Sequence, residues 1–292
     1  TQGLSTYNAL LVKVNGRTGE FHHFLKSAQW NVSYALSRFN STQGTSGDSA
    51  FSQAVFNNDC PTCFYGPNGV DRTHQFTFNT EFEFPWGFRL STLTHWYSAL
   101  PVTLQLPNQG NGSNEIFNTD LNGDGTVADI LPGTNIGSWG RSVSGVSSLN
   151  SAISNFNNNF AGKLTPAGQQ LLSSGLFTMS QLQALGAVIP TISAAPAGQV
   201  LTDSFWTTDF RVSKIIRIGE RVQIEPSADI FNVFNKANYD PPGGLLAGQL
   251  SGAPSSVNGT VQGQRTNKFG LAAGSFSPGI PRAFQFGMRV TF

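Results

Sequence analysis

Residues 282–292, R-A-F-Q-F-G-M-R-V-T-F, decide the fold class. Phe284, Phe286, Met288, Val290 and Phe292 fall on one side of an extended strand, and Gln285, Gly287, Arg289 and Thr291 fall on the other. This is a strict period of two, and the apolar series runs to the last aromatic residue. A strand with lipid on its apolar side and a wet lumen on its polar side requires that alternation. Eleven residues at about 3.3 Å each, tilted by about 40°, rise about 28 Å, close to the apolar band of about 25 Å in membrane barrels. The stretch reads as a transmembrane β-strand.

The rest of the chain agrees with that reading. Charged residues make up 11% of the 292 residues, less than half the usual share of about 25%. Hydrophobic residues reach only 39%, and 32 Gly and 24 Phe stand beside abundant Asn, Ser and Thr. Such a mixture suits strands that are half apolar and half neutral-polar, joined by polar loops. No apolar run approaches the 18 residues or so of a membrane helix. A net charge of +1 without a basic cluster gives no reason to expect nucleic acid. Residues 1–4 lack the charged and apolar regions of a signal peptide, so the chain reads as a C-terminal piece of a longer exported protein.

Further strands follow outward from the terminal one. Residues 5–14 open the chain, with Asn15-Gly16 as hairpin-turn chemistry. In residues 27–39, Ala28, Trp30, Val32, Tyr34 and Leu36 alternate with polar partners. The strongest hairpin sets Phe76, Phe78, Phe82 and Phe84 against Phe88, Leu90 and Trp96 across Pro85-Trp86-Gly87. Residues 205–218 and 221–234 form a second hairpin, in which Pro226 demands a bulge or a lost ladder bond. Between the hairpins, residues 100–202 form a long loop excursion. Within it, Thr165-Pro166 and Thr178 with Gln181 mark the starts of two short helices. Residues 40–71 and 240–280 read as loops, the latter with a short strand over 268–272. The expected fold is all-β: an antiparallel transmembrane barrel segment of seven or eight strands, with long extracellular loops. In lipid a sheet must close, so the segment is either a minimal barrel of eight or part of a larger one.

The pieces Ser5-Thr6-Tyr7-Asn8-Ala9-Leu10, residues 30–38, Asp229-Ile-Phe-Asn-Val-Phe-Asn235 and Ser277-Pro-Gly-Ile-Pro-Arg282 carry a family resemblance. Taken in order, with Asp120-Leu-Asn-Gly-Asp-Gly125 and Leu164-Thr-Pro-Ala-Gly168, they resemble the C-terminal barrel of TonB-dependent outer-membrane receptors. The type is the Oar-like one of acidobacteria, with a carboxypeptidase-regulatory-like domain. The resemblance spans nearly all of residues 1–292. It implies the bacterial outer membrane, a barrel of about 22 strands, and a plug in the lumen. It also implies energised uptake of a small ligand through the TonB complex, which engages an N-terminal plug absent from this sequence. Phe284, Phe286, Met288, Val290 and Phe292 match the signal read by the barrel-assembly machinery. The alternative is a small self-contained outer-membrane barrel acting in surface binding or adhesion; a soluble calcium-stabilised β-protein fits the loop but not the terminal strand.

Three groups of residues carry candidate chemistry. Asp120, Asn122, Asp124, Gly125 and Thr126 match positions of a calcium loop, although Leu131 stands where the bidentate Glu belongs and Asp129 is the nearest carboxylate. The alternative is an Asx-rich turn that binds nothing. Cys60-Pro-Thr-Cys63 reads as a loop disulfide, against a redox motif or half a zinc site. Glu81, Glu83, Arg89, His95, Asp209, Arg211 and Arg289 share the polar parity. They are lumen-facing residues that touch a ligand or plug, or else pair across strands. Residues Trp30, Tyr34, Trp86, Trp96, Tyr97 and Trp206 suit an interfacial girdle. No nucleophile elbow or catalytic motif occurs, so no enzyme and no organic cofactor are expected.

Overall fold

The computed structural model describes residues 3–21, 23–42, 56–57, 59–106, 120–126, 129–195, 201–238, 256–257, 260–261 and 281–292. The strands are β1 (Ser5–Thr18), β2 (Ser27–Ser41), β3 (Gly66–Pro67), β4 (His74–Glu83), β5 (Phe88–Tyr97), β6 (Phe205–Lys214), β7 (Ile216–Ile218), β8 (Val222–Phe231), β9 (Ser256–Val257), β10 (Thr260–Val261) and β11 (Ala283–Thr291). Seven long strands form one antiparallel meander in the order β1-β2-β4-β5-β6-β8-β11, with β3 added to β2 and β7 to β8. The pair β9 and β10 is a separate two-residue hairpin. The expected strand at 268–272 lies outside the described residues. Ten-residue strands such as β5 are about 33 Å long and rise about 25 Å at a tilt of about 40°, the height of an apolar membrane band.

The registers preserve residue parity across the entire sheet. Leu10 faces Leu36, Val32 faces Phe78, Phe76 faces Trp96, Leu90 faces Val212, Phe210 faces Ile230 and Phe286 faces Ala228. Every even-numbered strand residue therefore lies on one surface and every odd-numbered one on the other. A one-residue slip at any of these pairings would exchange the two faces beyond it.

Pairing also corrects two expectations. Asn15-Gly16 is no turn: β1 continues to Thr18, and Gly16 lies opposite Trp30. A Cβ on Gly16 would stand 2.2 Å from the Trp30 ring, so the bare glycine lets the indole lie across the neighbouring strand. Pro226 keeps its register with Met288, and the count between Ser213↔Ser227 and Ile216↔Ile224 shows no extra residue. The proline thus makes a gap without a bulge. Lacking an N–H, it interrupts the ladder where β6 gives way to β7, and the Ile215 amide donates to the Gly87 carbonyl instead, at 2.8 Å.

Short connections (19–26, 84–87, 219–221) gather at one end of the sheet, and the long ones (42–73, 98–204, 232–282) at the other. The excursion has more structure than its composition suggests. It holds helices α1 (Val146–Asn159), α2 (Pro166–Ser173) and α3 (Met179–Ala184). The last two start at the expected caps: the Gly168 amide donates to Thr165 Oγ1 at 3.2 Å, and the Gln181 amide to Thr178 Oγ1 at 3.3 Å. Helix α1 was not expected, yet its Leu149, Ile153 and Phe156 have helical spacing and are buried. They join Leu104, Leu131, Trp139, Ile189 and Ile192 in the largest hydrophobic core among the described residues. Each such side chain contributes about 1.5–3 kcal/mol by leaving water. The main core therefore lies in the excursion, and none covers the apolar face of the sheet. No helix among the described residues is long and apolar enough to cross a membrane.

Candidate functional site: the polar wall of the sheet

The odd-numbered face is concave and lined by amides and hydroxyls. A cleft of about 780 Å³ runs over β1, β2, β4 and β5, bordered by Asn15, Arg17, Gln29, Asn31, Asn79 and Glu81. Asn31 donates to Asn15 Oδ1 at 2.5 Å, and Ser33 donates to Asn31 Oδ1 at 3.2 Å. Neighbouring strands thus satisfy one another without apolar cover.

All seven lumen candidates lie on this face, where their partners differ. Glu83 accepts from Lys26 at 3.0 Å and from Ser27 at 3.1 Å. Arg211 makes a bidentate pair with Asp229, at 2.5 and 2.9 Å, the geometry in which a guanidinium binds a carboxylate most strongly. Glu225 accepts from Ser213 at 2.9 Å and lies 3.8 Å from Arg89; Arg289 stands opposite Glu225 in the ladder. His95 Nδ1 lies 3.2 Å from Thr77 Oγ1 and 3.0 Å from the Tyr97 hydroxyl. Asp209 accepts from Thr207 at 3.3 Å and from the Asn232 amide at 2.8 Å. Glu81 borders the open cleft. Most of these charges are engaged across strands, so Glu81 and Arg17 are the ionisable groups bordering the cleft.

The even-numbered face is apolar and open. Phe284 is 62% exposed, Phe286 80% and Met288 70%, with no second layer over them. At the long-loop end of this face, His74 stacks on Tyr34 with centroids 6.2 Å apart, Trp96 faces Trp206, and Trp206 stacks on Phe234 at 5.3 Å. At the short-turn end, Phe24, Phe82 and Phe84 cluster, with centroids 5.7 and 6.5 Å apart. Halfway between lie Thr80–Thr92 and Thr94–Thr208, each pair hydrogen-bonded at 3.0 Å. Their mutual bonds let hydroxyls sit on an apolar surface without stranded polar groups.

A family model described as an outer membrane beta barrel domain matches residues 1–285. The chain belongs to that family. No curated protein and no solved structure matches it.

As an outer membrane β-barrel domain, it sits in the bacterial outer membrane with its even face in lipid and its odd face toward the lumen. The two aromatic bands are then the girdles at the membrane borders. Tyr97 leaves the expected girdle set: it lies on the polar parity and stacks on Phe205 at 5.4 Å. Its strand-end position was legible, but its parity decides. The barrel's Asp229–Asn235 motif has a structural explanation. Asn232 and Asn235 take left-handed backbone conformations (φ 47° and 50°) that turn the chain at the end of β8, as asparagine tolerates. Asn235 Oδ1 accepts the Arg282 amide at 3.0 Å, tying this turn to the start of β11. Of the Ser277–Arg282 motif, residues 277–280 lie outside the described residues.

Beyond the membrane, Asp120, Asp124 and Asp129 converge, each with a carboxylate oxygen within 4.8 Å of the others. Such a set can wrap a hard cation. However, both Asp120 oxygens accept loop amides, from Gly123 at 2.6 Å and Gly125 at 2.7 Å, and Asp124 Oδ1 accepts from the Thr126 amide and hydroxyl. Asp129 accepts from the Leu121 amide at 3.0 Å and Asn122 Nδ2 at 3.1 Å. Burial pushes the Asp129 carboxyl up to about 7, and its acidic neighbours add to the shift. Leu131, in the twelfth loop position, is fully buried in the excursion core. Cys60 and Cys63 form a disulfide with Cα atoms 5.4 Å apart.

Proposed function

We propose that this barrel domain is part of the wall of a TonB-dependent receptor that takes up a small ligand across the outer membrane. One topological observation carries the reading. Seven antiparallel strands leave β1 and β11 parallel to each other at the two edges. Joining them directly would make a parallel pair inside an antiparallel wall. Leaving them open in lipid would cost several kcal/mol per unpaired backbone group. An all-antiparallel closure therefore needs an odd number of further strands between β11 and β1, as part of a wider barrel supplies. The concave, amide-lined face and its aqueous cleft suit a lumen that holds a plug and passes a hydrated ligand, and the sequence motifs follow receptor order.

On this reading the plug engages the TonB complex, the barrel-assembly machinery reads β11, and the polar cleft faces the plug or permeant. The test is a photo-cross-linking residue at Asn79 or Glu81, in the protein within its native outer membrane. A cross-link to a domain lodged in the lumen is expected. Free entry of a bulky hydrophilic maleimide at the same positions, with no cross-link, would contradict it.

A further inference from the structure

A second cleft, of about 520 Å³, lies where β2 leaves the membrane on the long-loop side, bordered by Arg38, Asn40, Tyr65, Asn135, Arg141 and Ser142. Its position follows from the register. Arg38 faces Asn8 and Asn40 faces Thr6, both on the even parity that lower in β2 carries Val32, Tyr34 and Leu36. The cleft therefore begins one residue pair beyond the aromatic girdle, on the lipid side of the wall, at the depth of the outer headgroups. That is an uncommon place for an arginine whose guanidinium forms no ion pair among the described residues. By contrast, the Arg141 guanidinium on the opposite rim is held by Asp71 at 3.0 Å and by the Ala99 carbonyl at 3.1 Å. It contributes a fixed wall and leaves Arg38 as the uncompensated charge. Asn40 Oδ1 is a buried acceptor with no hydrogen-bond partner among the described residues.

We propose that this cleft binds the headgroup of a phosphorylated glycolipid of the outer leaflet, with Arg38 pairing the phosphate. A guanidinium donates two parallel hydrogen bonds to a phosphate. Tyr65, Asn135 and Ser142 supply neutral donors and acceptors of the kind a sugar ring uses. A sugar hydroxyl or amide N–H is the donor that Asn40 Oδ1 lacks. The acyl chains of such a lipid would run down the even face, over Tyr34 and Leu36. One amphipathic molecule thus matches the charge, the polar lining and the apolar surface below it.

The experiment uses the protein purified from outer membranes in mild detergent, stripped of lipid, and titrated with rough lipopolysaccharide while bound lipid is read by native mass spectrometry. One saturable lipid is expected, bound at least tenfold more weakly by Arg38→Ala and by dephosphorylated lipopolysaccharide, with Arg38→Lys intermediate. Lys13→Ala, on the opposite parity, is expected to bind as the parent does. Equal affinity for phosphorylated and dephosphorylated lipid overturns the proposal without any variant. Displacement by millimolar inorganic phosphate also overturns it, by assigning the cleft to free anions, as does unchanged binding in a folded Arg38→Ala protein.

Discussion

Single residues show how tightly the wall is specified. Gly16 is replaceable only if Trp30 moves, because a Cβ there would stand 2.2 Å from the indole. Gly16→Val is expected to cost about 1–3 kcal/mol, the usual penalty of overpacking, read from urea unfolding in lipid vesicles. Gly3→Ala, with nothing within 4 Å of the new atom, is expected to change nothing. Parity makes a sharper contrast on β11. Phe286→Arg places a charge on the lipid face near mid-strand, at a cost of about 2–4 kcal/mol, whereas Gln285→Arg faces the lumen and should be nearly neutral. In the acidic loop the sign of the pH dependence follows from Asp129. Its carboxyl is raised to about 7 from an ordinary 3.8, so between those values the folded form holds the proton that the unfolded form has lost. Stability of the excursion should fall as pH rises from 4 to 7 and level off above, a slope that Asp129→Asn removes, measured by limited proteolysis. The loop's amides are already satisfied by its own carboxylates, so millimolar calcium is expected to give no added protease protection; clear protection would reassign the loop as a cation site.

At the scale of elements, strands were more legible than the excursion. Period-two alternation in β2, β4, β5, β6 and β11 fixes their faces because lipid on one side and water on the other impose one rule on every residue. The end of β1 was misread, since Asn-Gly is turn chemistry in isolation and only the Trp30 contact shows why the strand continues. Helix α1 was obscured by its Ser and Asn content, although Leu149, Ile153 and Phe156 carried the spacing. Contacts between distant loops have no sequence signal. Arg141 reaches Asp71, which is 3% exposed, and Gly137 has no room for a Cβ beside the Pro67 carbonyl. These contacts join the two long-loop segments. Removing one partner of a buried ion pair costs about 3–5 kcal/mol. Arg141→Ala should therefore expose residues 98–204 to protease while leaving the strands protected; protection equal to the parent's would show that the pair does not hold the loops together.

For the whole molecule, parity ties local pattern to location. Because every pairing keeps even with even, the apolar surface is continuous from Leu10 to Val290 and the polar surface from Asn15 to Arg289. Membrane residence was legible in the sequence for this reason, whereas the partners of the lumen charges were not: Arg211 with Asp229 and Arg89 with Glu225 require the register between strands. The most direct test of this two-faced wall is a scan of single cysteines along β2, β5 and β11. Each cysteine carries a fluorophore, in the protein reconstituted in vesicles, and quenching by brominated lipid is compared with quenching by aqueous iodide. Lipid quenching at even positions and iodide quenching at odd ones, in phase across all three strands, is the predicted result. Quenching without that alternation, or with the phase reversed between strands, would contradict it.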